Sequence, residues 1–212
     1  MTTNAILHIL TLLAALFAPL VGIAQVHDAE DSHISERAGY GLPGNAVDLG
    51  LSVLWSDHNV GATGPTDHGR IFGYGDITGS VTSFVLDDYI SQDISGTDLD
   101  PAYVFWGSGW RMPTASEIKE LVDRCEWRWA VRNGVPGFIV KGRNGAIFLP
   151  VTGQRSGEEL AFQQTRGYYW SGEISEVDND YASALFFHKG GKMLKEYRKF
   201  YGFAIRPVRE EF

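Results

Sequence analysis

Four short segments in the second half of the chain constrain its fold more than any other feature, because each combines glycine with aromatic, arginine or proline residues. They are residues 109–114 (GWRMPT), 148–155 (FLPVTGQR), 167–171 (GYYWS) and 201–208 (YGFAIRPV). Glycine and proline punctuate short structural elements, and aromatic side chains fill the core between them. None of the segments joins a nucleophile to a base and an orienting group. They therefore predict an architecture and do not indicate a reaction.

The N-terminal segment predicts export. Residues 5–24 are almost entirely apolar, and Gly22 and Ala24 put small residues at positions −3 and −1 of a cut before Gln25. This arrangement is typical of a secretory signal peptide, so we expect the mature chain to begin at Gln25. The segment before the apolar run has no lysine or arginine. An uncleaved membrane anchor is the alternative, since about 20 apolar residues can span a bilayer.

The rest of the chain is expected to form one domain. We divide the sequence into a signal peptide (residues 1–24), a polar leader (residues 25–43) and a single domain (residues 44–209). The expected location is secreted, periplasmic or at the cell surface, with no membrane span after removal of the signal. The formal net charge of −8 argues against a nucleic-acid partner, because binding of phosphates needs an excess of lysine and arginine.

One helix is well marked. Thr114 and Glu117 have the spacing of a capping box, in which each side chain bonds a free backbone N–H of the other. Ile118, Leu121 and Val122 follow at helical spacing and predict one apolar face. A shorter helix is expected after Asp100, where a proline occupies the first helical position.

The segments around the helices predict antiparallel strands. Asn144-Gly145 and Gly190-Gly191 are turn pairs between apolar runs, and residues 203–206 read as a final strand ending at Pro207. Residues 81–98 show no period and predict a long loop. The predicted fold class is α+β, with small antiparallel sheets, one or two helices and long loops.

Few residues indicate a chemical site. The six histidines lack the spacing of a metal site, and no phosphate-loop or dinucleotide fingerprint occurs, so we expect no metal and no cofactor. The acidic run at residues 178–180 fits either part of a calcium shell or a local turn bonded by its own side chains. The single cysteine, Cys125, is expected to be a buried, inert member of the helix face, with a reactive thiol as the alternative.

Two sets of large side chains have a structural and a functional interpretation. Five tryptophans are expected mainly in the core, although they would also suit a sugar-stacking surface. Three arginines within the signature segments are expected to tie loop carbonyls or a carboxylate, with anion binding as the alternative. These residues are Trp106, Trp110, Trp127, Trp129 and Trp170, and Arg111, Arg155 and Arg206.

Taken together, the signature segments resemble the Fibrobacter succinogenes major paralogous domain family, which is common in secreted proteins of Bacteroidetes and Fibrobacteres. The residues that carry the resemblance are 106–107, 110–114 with Glu117 and Leu121, 148–150, 169–171, 202–203 and 206–208, with 47–53 and 59–62 upstream. This family is similar to the C-type-lectin-like fold of formylglycine-generating enzymes and of retroelement-diversified receptor-binding proteins. The resemblance implies a C-type-lectin-like domain. The paired active-site cysteines of the enzyme branch are absent, so no enzymatic activity is expected.

We therefore expect a non-enzymatic recognition or adhesion module that binds a glycan or a protein. A structural subunit of a cell-surface assembly is the alternative, and an enzyme with a degenerate site is a third interpretation. The loops most available for recognition are residues 81–98, 157–165 and 173–179. Related receptor-binding proteins vary in the matching C-terminal region, and this region holds the polar and aromatic types that suit a contact surface. The candidate ligand-binding residues there are Asp178, Asn179, Tyr181, Lys192, Tyr197 and Arg198.

Overall fold

The computed structural model describes residues 40–107 and 109–210. The predicted signal peptide, residues 1–24, and the leader as far as residue 39 lie outside the described residues. The described part contains two α-helices and eleven β-strands, so the predicted α+β class is confirmed.

The helices are α1 (Pro101–Trp106) and α2 (Ala115–Arg124), and one turn of 3₁₀-helix covers Leu86–Asp88. The strands are β1 (Ala46–Val47), β2 (Leu54–Ser56), β3 (Glu126–Arg132), β4 (Val135–Lys141), β5 (Ala146–Pro150), β6 (Gln154–Ser156), β7 (Glu159–Ala161), β8 (Arg166–Ile174), β9 (Tyr181–His188), β10 (Gly191–Arg198) and β11 (Val208–Arg209). The 3₁₀ turn is the only regular element within residues 81–98, which form the long loop that the sequence predicts.

The strands of the described part form four antiparallel groups. Three of them are three-stranded sheets, in the orders β10-β9-β8, β3-β4-β5 and β1-β2-β11, and the fourth is the hairpin β6-β7. The Asn144-Gly145 turn joins β4 to β5, as predicted. The hairpin of β9 and β10 is also confirmed, although its closing pair is His188 with Gly191, which places Lys189 and Gly190 in the turn.

Strands β8 and β9 of the β10-β9-β8 sheet are buried on both faces over most of their length, whereas the edge strand β10 is partly exposed. Side chains alternate along a strand, so Tyr169 and Leu185 face one side while Tyr168 and Trp170 face the other. The first pair belongs to a core that includes the β3-β4-β5 sheet and helix α2, and the second pair belongs to a core with Phe203. The long apolar run in β9 follows from this position, since a central strand packed on both faces needs little alternation.

Helix α2 begins where its sequence predicts. Thr114 Oγ1 accepts the Glu117 N–H, and the Glu117 carboxylate accepts the Thr114 N–H at 2.8 Å, so both bonds of the capping box form. Ile118 and Leu121 are buried in the same core as Leu185. The shorter helix α1 is capped by Asp100, whose side chain accepts two N–H bonds from the first turn.

Arg206 confirms the structural interpretation of the signature arginines. Its buried guanidinium donates from Nε to Asn59 Oδ1 (2.7 Å), and from the two Nη atoms to the carbonyls of Ser56 and Phe148 (3.0 Å each). Burial lowers the pKa of Arg206 to about 10, which leaves the group charged at neutral pH. One side chain thus links strand β2, strand β5 and the C-terminal segment.

The other two signature arginines also act as ties. Arg155 donates to the carbonyls of Gly79 and Val81 (2.5 and 2.7 Å), which fastens the long loop to the β6-β7 hairpin. Arg111 binds the Glu117 carboxylate through both Nη atoms (2.9 and 2.6 Å). The planar guanidinium fork suits such bonds, which offset part of the conformational entropy lost when the segments tied by these arginines become ordered.

The tryptophans are mainly core residues, as predicted. Trp106, Trp110 and Trp170 are buried, and the indole N–H of Trp170 donates to the Phe72 carbonyl at 2.9 Å. Trp127 and Trp129 are half-buried on β3, where both rings pack edge-on against the same phenylalanine of β4. A wide exposed tryptophan platform is therefore not formed by these five side chains.

Two boundaries differ from the sequence-based expectation. The predicted final strand at residues 203–206 is wrong, because Phe203 bridges Phe72 on one side while Ala204 bridges Tyr169 on the other. Consecutive residues there bridge to two different neighbours and form no regular strand. The last strand, β11, begins after Pro207. The folded unit also takes in Tyr40, earlier than the predicted start at residue 44, since its ring stacks on a residue of α1 and is buried.

Candidate functional site

A solvent-open concave surface of about 650 Å³ lies at one end of the β8-β9 sheet. Its lining residues are Phe162, Thr165, Arg166, Phe186, His188 and Lys189. We refer to these six residues as the cleft. They come from the turn that precedes β8, the first residue of β8, the end of β9 and the turn after β9.

Strand register brings the cleft together. Arg166 and His188 are cross-strand partners, so their side chains lie on the same face of the sheet. Phe186 lies two residues before His188 and shares that face, with 5.7 Å between the ring centroids. Beneath them, the ring of Tyr168 contacts Phe186 with a centroid distance of 5.1 Å. The floor of the cleft is therefore continuous with the packed core.

Phe162 forms one wall in an unusual backbone conformation. Its φ of 64° lies in the left-handed region, which is uncommon for a bulky side chain. The conformation closes a turn in which the Phe162 carbonyl accepts the N–H groups of Thr165 (2.9 Å) and Arg166 (3.0 Å). The side chain is nevertheless 41% exposed. Backbone strain of this kind occurs more often at functional sites than elsewhere in a protein.

The polar groups of the cleft are preset as donors. The Arg166 guanidinium lies 4.0 Å from the centroid of the Phe162 ring, which restricts where its fork can point. His188 Nδ1 accepts the Gly190 N–H at 3.1 Å, so in the neutral ring the proton is on Nε2. Lys189 adds an exposed ammonium group. The six lining residues include three nitrogen donors and no carboxylate.

The lining of the cleft combines two phenylalanine rings and a threonine hydroxyl with three nitrogen donors, and it includes no cysteine and no carboxylate. Aromatic walls with a few placed polar groups are the usual make-up of a ligand site. The arrangement can hold a ligand that has an apolar face and an electron-rich group.

The candidate residues on the β8-β9 loop form a local turn. Asp178 Oδ1 accepts the Asp180 N–H at 3.0 Å, and the Asp178 N–H donates to Ser175 Oγ at 3.2 Å. Asn179 is exposed beside them. These bonds match the local-turn interpretation of the acidic run. In the described part of the chain, no group of three or more His, Cys, Asp or Glu side chains is placed to hold a metal ion.

The other candidate residues are distributed over both faces of the sheet. Tyr181 and Arg198 are cross-strand partners, with the guanidinium 5.2 Å from the ring centroid. Lys192 lies on the same face near the far end of β10, with its ammonium 5.6 Å from the Trp127 ring centroid. Tyr197 faces the other way and packs against Phe203, and burial raises the pKa of its hydroxyl.

The six candidate residues therefore do not share one surface, and none of them lines the cleft. Asp178, Asn179, Tyr181 and Arg198 lie at one end of the sheet. Tyr197 lies at the same end on the opposite face, and Lys192 lies at the other end. Their role in binding stays a prediction. Of the loops named from the sequence, residues 157–165 supply Phe162 and Thr165 to the cleft. Residues 173–179 supply none of its lining.

Sequence reasoning missed the cleft because its members look ordinary in isolation. His188 reads as a loop histidine, Phe186 as a strand residue and Arg166 as a surface charge. The available signal was the run Phe186-Phe187-His188-Lys189, in which an apolar strand ends in two basic residues next to a glycine turn. Only the β8-β9 register adds Arg166 to that run.

A second concavity lies along the outer side of α2 and is a solvated face. Lys119 pairs with Asp123, and Arg124 pairs with Glu120 at 2.9 Å, both at i,i+4 spacing. Glu120 also accepts bonds from Ser52. Its charges are already partnered within the protein, so this surface offers little to a ligand.

Cys125 ends helix α2 and is partly exposed, which corrects the expectation of full burial. Partial burial raises the pKa of the thiol, and the neighbouring Glu120 charge acts in the same direction. A raised pKa leaves little thiolate at neutral pH, so the thiol is expected to react slowly.

Among residues 40–107 and 109–210, no helix has the length and apolar character needed to cross a membrane. Comparison with protein-family models, with curated proteins and with solved structures finds no match to this chain. The case for a function therefore depends on the site itself.

Proposed function

We propose that this protein is an exported, non-enzymatic recognition module and that the cleft is its binding site. The observation that carries the proposal is the convergence of two phenylalanine rings and three nitrogen donors at one end of the β8-β9 sheet. In support, the strained Phe162 backbone holds an aromatic side chain at the surface, where it adds less to stability than a buried ring would.

The expected ligand is a glycan or a protein, presented outside the cell. An exported location rests on the apolar segment that ends in Gly22 and Ala24. We further propose that the fold belongs with the C-type-lectin-like domains, and the chain with the Fibrobacter succinogenes major paralogous domain family. The antiparallel sheets, the two helices and the long loop of the described part are consistent with that assignment.

The proposal is tested by applying the protein to a glycan array and to a panel of extracellular proteins. Phe162→Ala removes the exposed wall of the cleft, and we expect it to abolish the strongest signals. The matched control is Tyr103→Ala, which removes a similarly exposed ring (47%) from helix α1, outside the lining of the cleft.

Both variants should have similar unfolding midpoints, since the two residues are exposed to a similar extent, 41% and 47%. Equal loss of binding in the two variants would place the site elsewhere. Absence of any ligand, together with self-association in sedimentation, would favour the structural-subunit alternative.

A further inference from the structure

We propose that the ligand of the cleft is an acidic saccharide, one whose sugar ring carries a carboxylate. This inference rests on the proposed function and specifies its ligand. The cleft presents Arg166, His188 and Lys189 and contains no carboxylate among its lining residues, although the whole chain has a net charge of −8. A local cluster of donors that opposes the overall charge is the electrostatic complement of an anion.

The geometry of the donors fits a carboxylate group. The guanidinium of Arg166 can donate two parallel N–H bonds to the two oxygens of a carboxylate. Stacking on Phe162 at 4.0 Å holds that guanidinium at the wall of the cleft before a ligand arrives. His188 adds an Nε2–H donor, because its Nδ1 is already occupied by the Gly190 N–H. Binding of the anion would therefore cost little side-chain entropy, because the orientations of Arg166 and His188 are already restricted in the free protein.

The aromatic side chains fit the apolar face of a ring. Phe162 is 41% exposed, and Phe186 is half-buried on the floor of the cleft. A sugar ring offers C–H groups on one face and hydroxyl groups around its edge. The open shape of the cleft suits such a ligand, since the hydroxyl groups can remain hydrated while one face packs on the rings.

A saccharide fits the cleft better than an acidic peptide does. An extended peptide gains much of its affinity by adding main-chain bonds to a free strand edge. Beside the cleft, the Arg166 carbonyl already accepts the Gly153 N–H, and the Tyr168 carbonyl accepts the Ala204 N–H. Strand β9 lies in the middle of its sheet. The edge of β8 beside the cleft is therefore already bonded at these positions and gives an extended peptide no strand to pair with there.

The test uses tetragalacturonate, its fully methyl-esterified form and poly-glutamate, each titrated into the protein by calorimetry. The first two probes share a sugar backbone and differ in the carboxylate charge, and the third has carboxylates without sugar rings. We expect tetragalacturonate to bind at least about tenfold more tightly than its ester, given a carboxylate held by a charged fork. High salt should weaken that binding, because the cleft is exposed and its charges are screened.

Two charge-neutralising variants form a matched pair on the same hairpin. Lys189→Gln removes a cation of the cleft, whereas Lys192→Gln removes one from the opposite face of the sheet, beside Trp127. We expect Lys189→Gln to weaken tetragalacturonate binding about two- to fivefold, the effect of one exposed charge pair. Lys192→Gln should bind like the parent protein, and both variants should keep the parent unfolding midpoint.

The outcomes separate this inference from the proposed function. Equal binding of acid and ester, with both lost in Phe162→Ala, would overturn the acidic class and leave the cleft as a glycan site. Binding of poly-glutamate in preference to the sugars would overturn the saccharide and point to a peptide. Equal effects of Lys189→Gln and Lys192→Gln, or no binding of tetragalacturonate, would also overturn the inference. The array and the protein panel would still decide whether the cleft binds another ligand.

Discussion

Replacement of Arg206 by methionine is expected to remove a large part of the stability of the domain. Methionine retains most of the aliphatic stem and removes the guanidinium, so the change isolates the three bonds that the group makes. The acceptors left behind are Asn59 Oδ1 and the carbonyls of Ser56 and Phe148, which Arg206 binds at 2.7, 3.0 and 3.0 Å. Arg206 itself is 1% exposed, so water has no direct route to these acceptors.

The magnitude follows from the number of acceptors. A buried acceptor left without a partner costs about 1–3 kcal/mol, so three acceptors predict a loss of about 4 kcal/mol after partial relaxation. A typical domain has a free energy of unfolding of about 5–15 kcal/mol, so the loss would be a substantial fraction of the total. Arg155→Met is the matched control, because its partners Gly79 and Val81 lie on a partly exposed loop. Those carbonyls can turn to water, which predicts a loss of about 1 kcal/mol.

Urea denaturation of the two variants measures both losses, with the slope of the transition as a check on two-state behaviour. Arg206→Met should unfold at a clearly lower urea concentration than Arg155→Met. A loss for Arg206→Met that is no larger than the loss for Arg155→Met would refute the reasoning, because it would show that the three acceptors find other partners.

Three further predictions concern helix α2. Thr114→Ala should lower the free energy of unfolding by about 1 kcal/mol, and an unchanged denaturation midpoint would mean that the cap adds nothing. Bonds to Arg111 and to the Thr114 N–H outweigh burial and lower the pKa of Glu117. The stability that the ionised Glu117 carboxylate contributes is therefore fully present above the unfolded-state pKa of about 4.3, and it is lost as the pH falls through the lower pKa of the folded state. The free energy of unfolding of Glu117→Gln should therefore fall less steeply with acid than that of the parent protein. Cys125 should react slowly with a thiol reagent in the native protein and quickly in urea, since its pKa is raised, and rapid native labelling would contradict this.

Local sequence signals predicted the elements that depend on neighbouring residues. The Thr114-Glu117 capping box and the Asn144-Gly145 turn need only a few adjacent positions, and both form. The general role of Arg206 was also predictable, because a guanidinium within a compact signature segment has few other uses. Its partners were not, because Asn59 and Phe148 are distant in sequence and meet it only in the folded core.

The binding site depended on information that a single sequence does not hold. Tyr197 and Arg198 are adjacent in sequence and face opposite sides of the sheet, so residue type alone could not place them on one surface. The cleft needs the pairing of Arg166 with His188, which the register of β8 and β9 determines. It also needs the left-handed backbone at Phe162, which no propensity rule predicts for that side chain.

Recognition at the cleft is tested most directly by mapping amide chemical-shift changes in the ¹⁵N-labelled protein during titration with tetragalacturonate. We predict that the amides of Phe162, Arg166 and His188 shift together and follow a single binding curve, while the amides of Lys192 and Arg198 stay in place. Shifts centred on Lys192 and Arg198, with the cleft amides unmoved, would contradict recognition at the cleft.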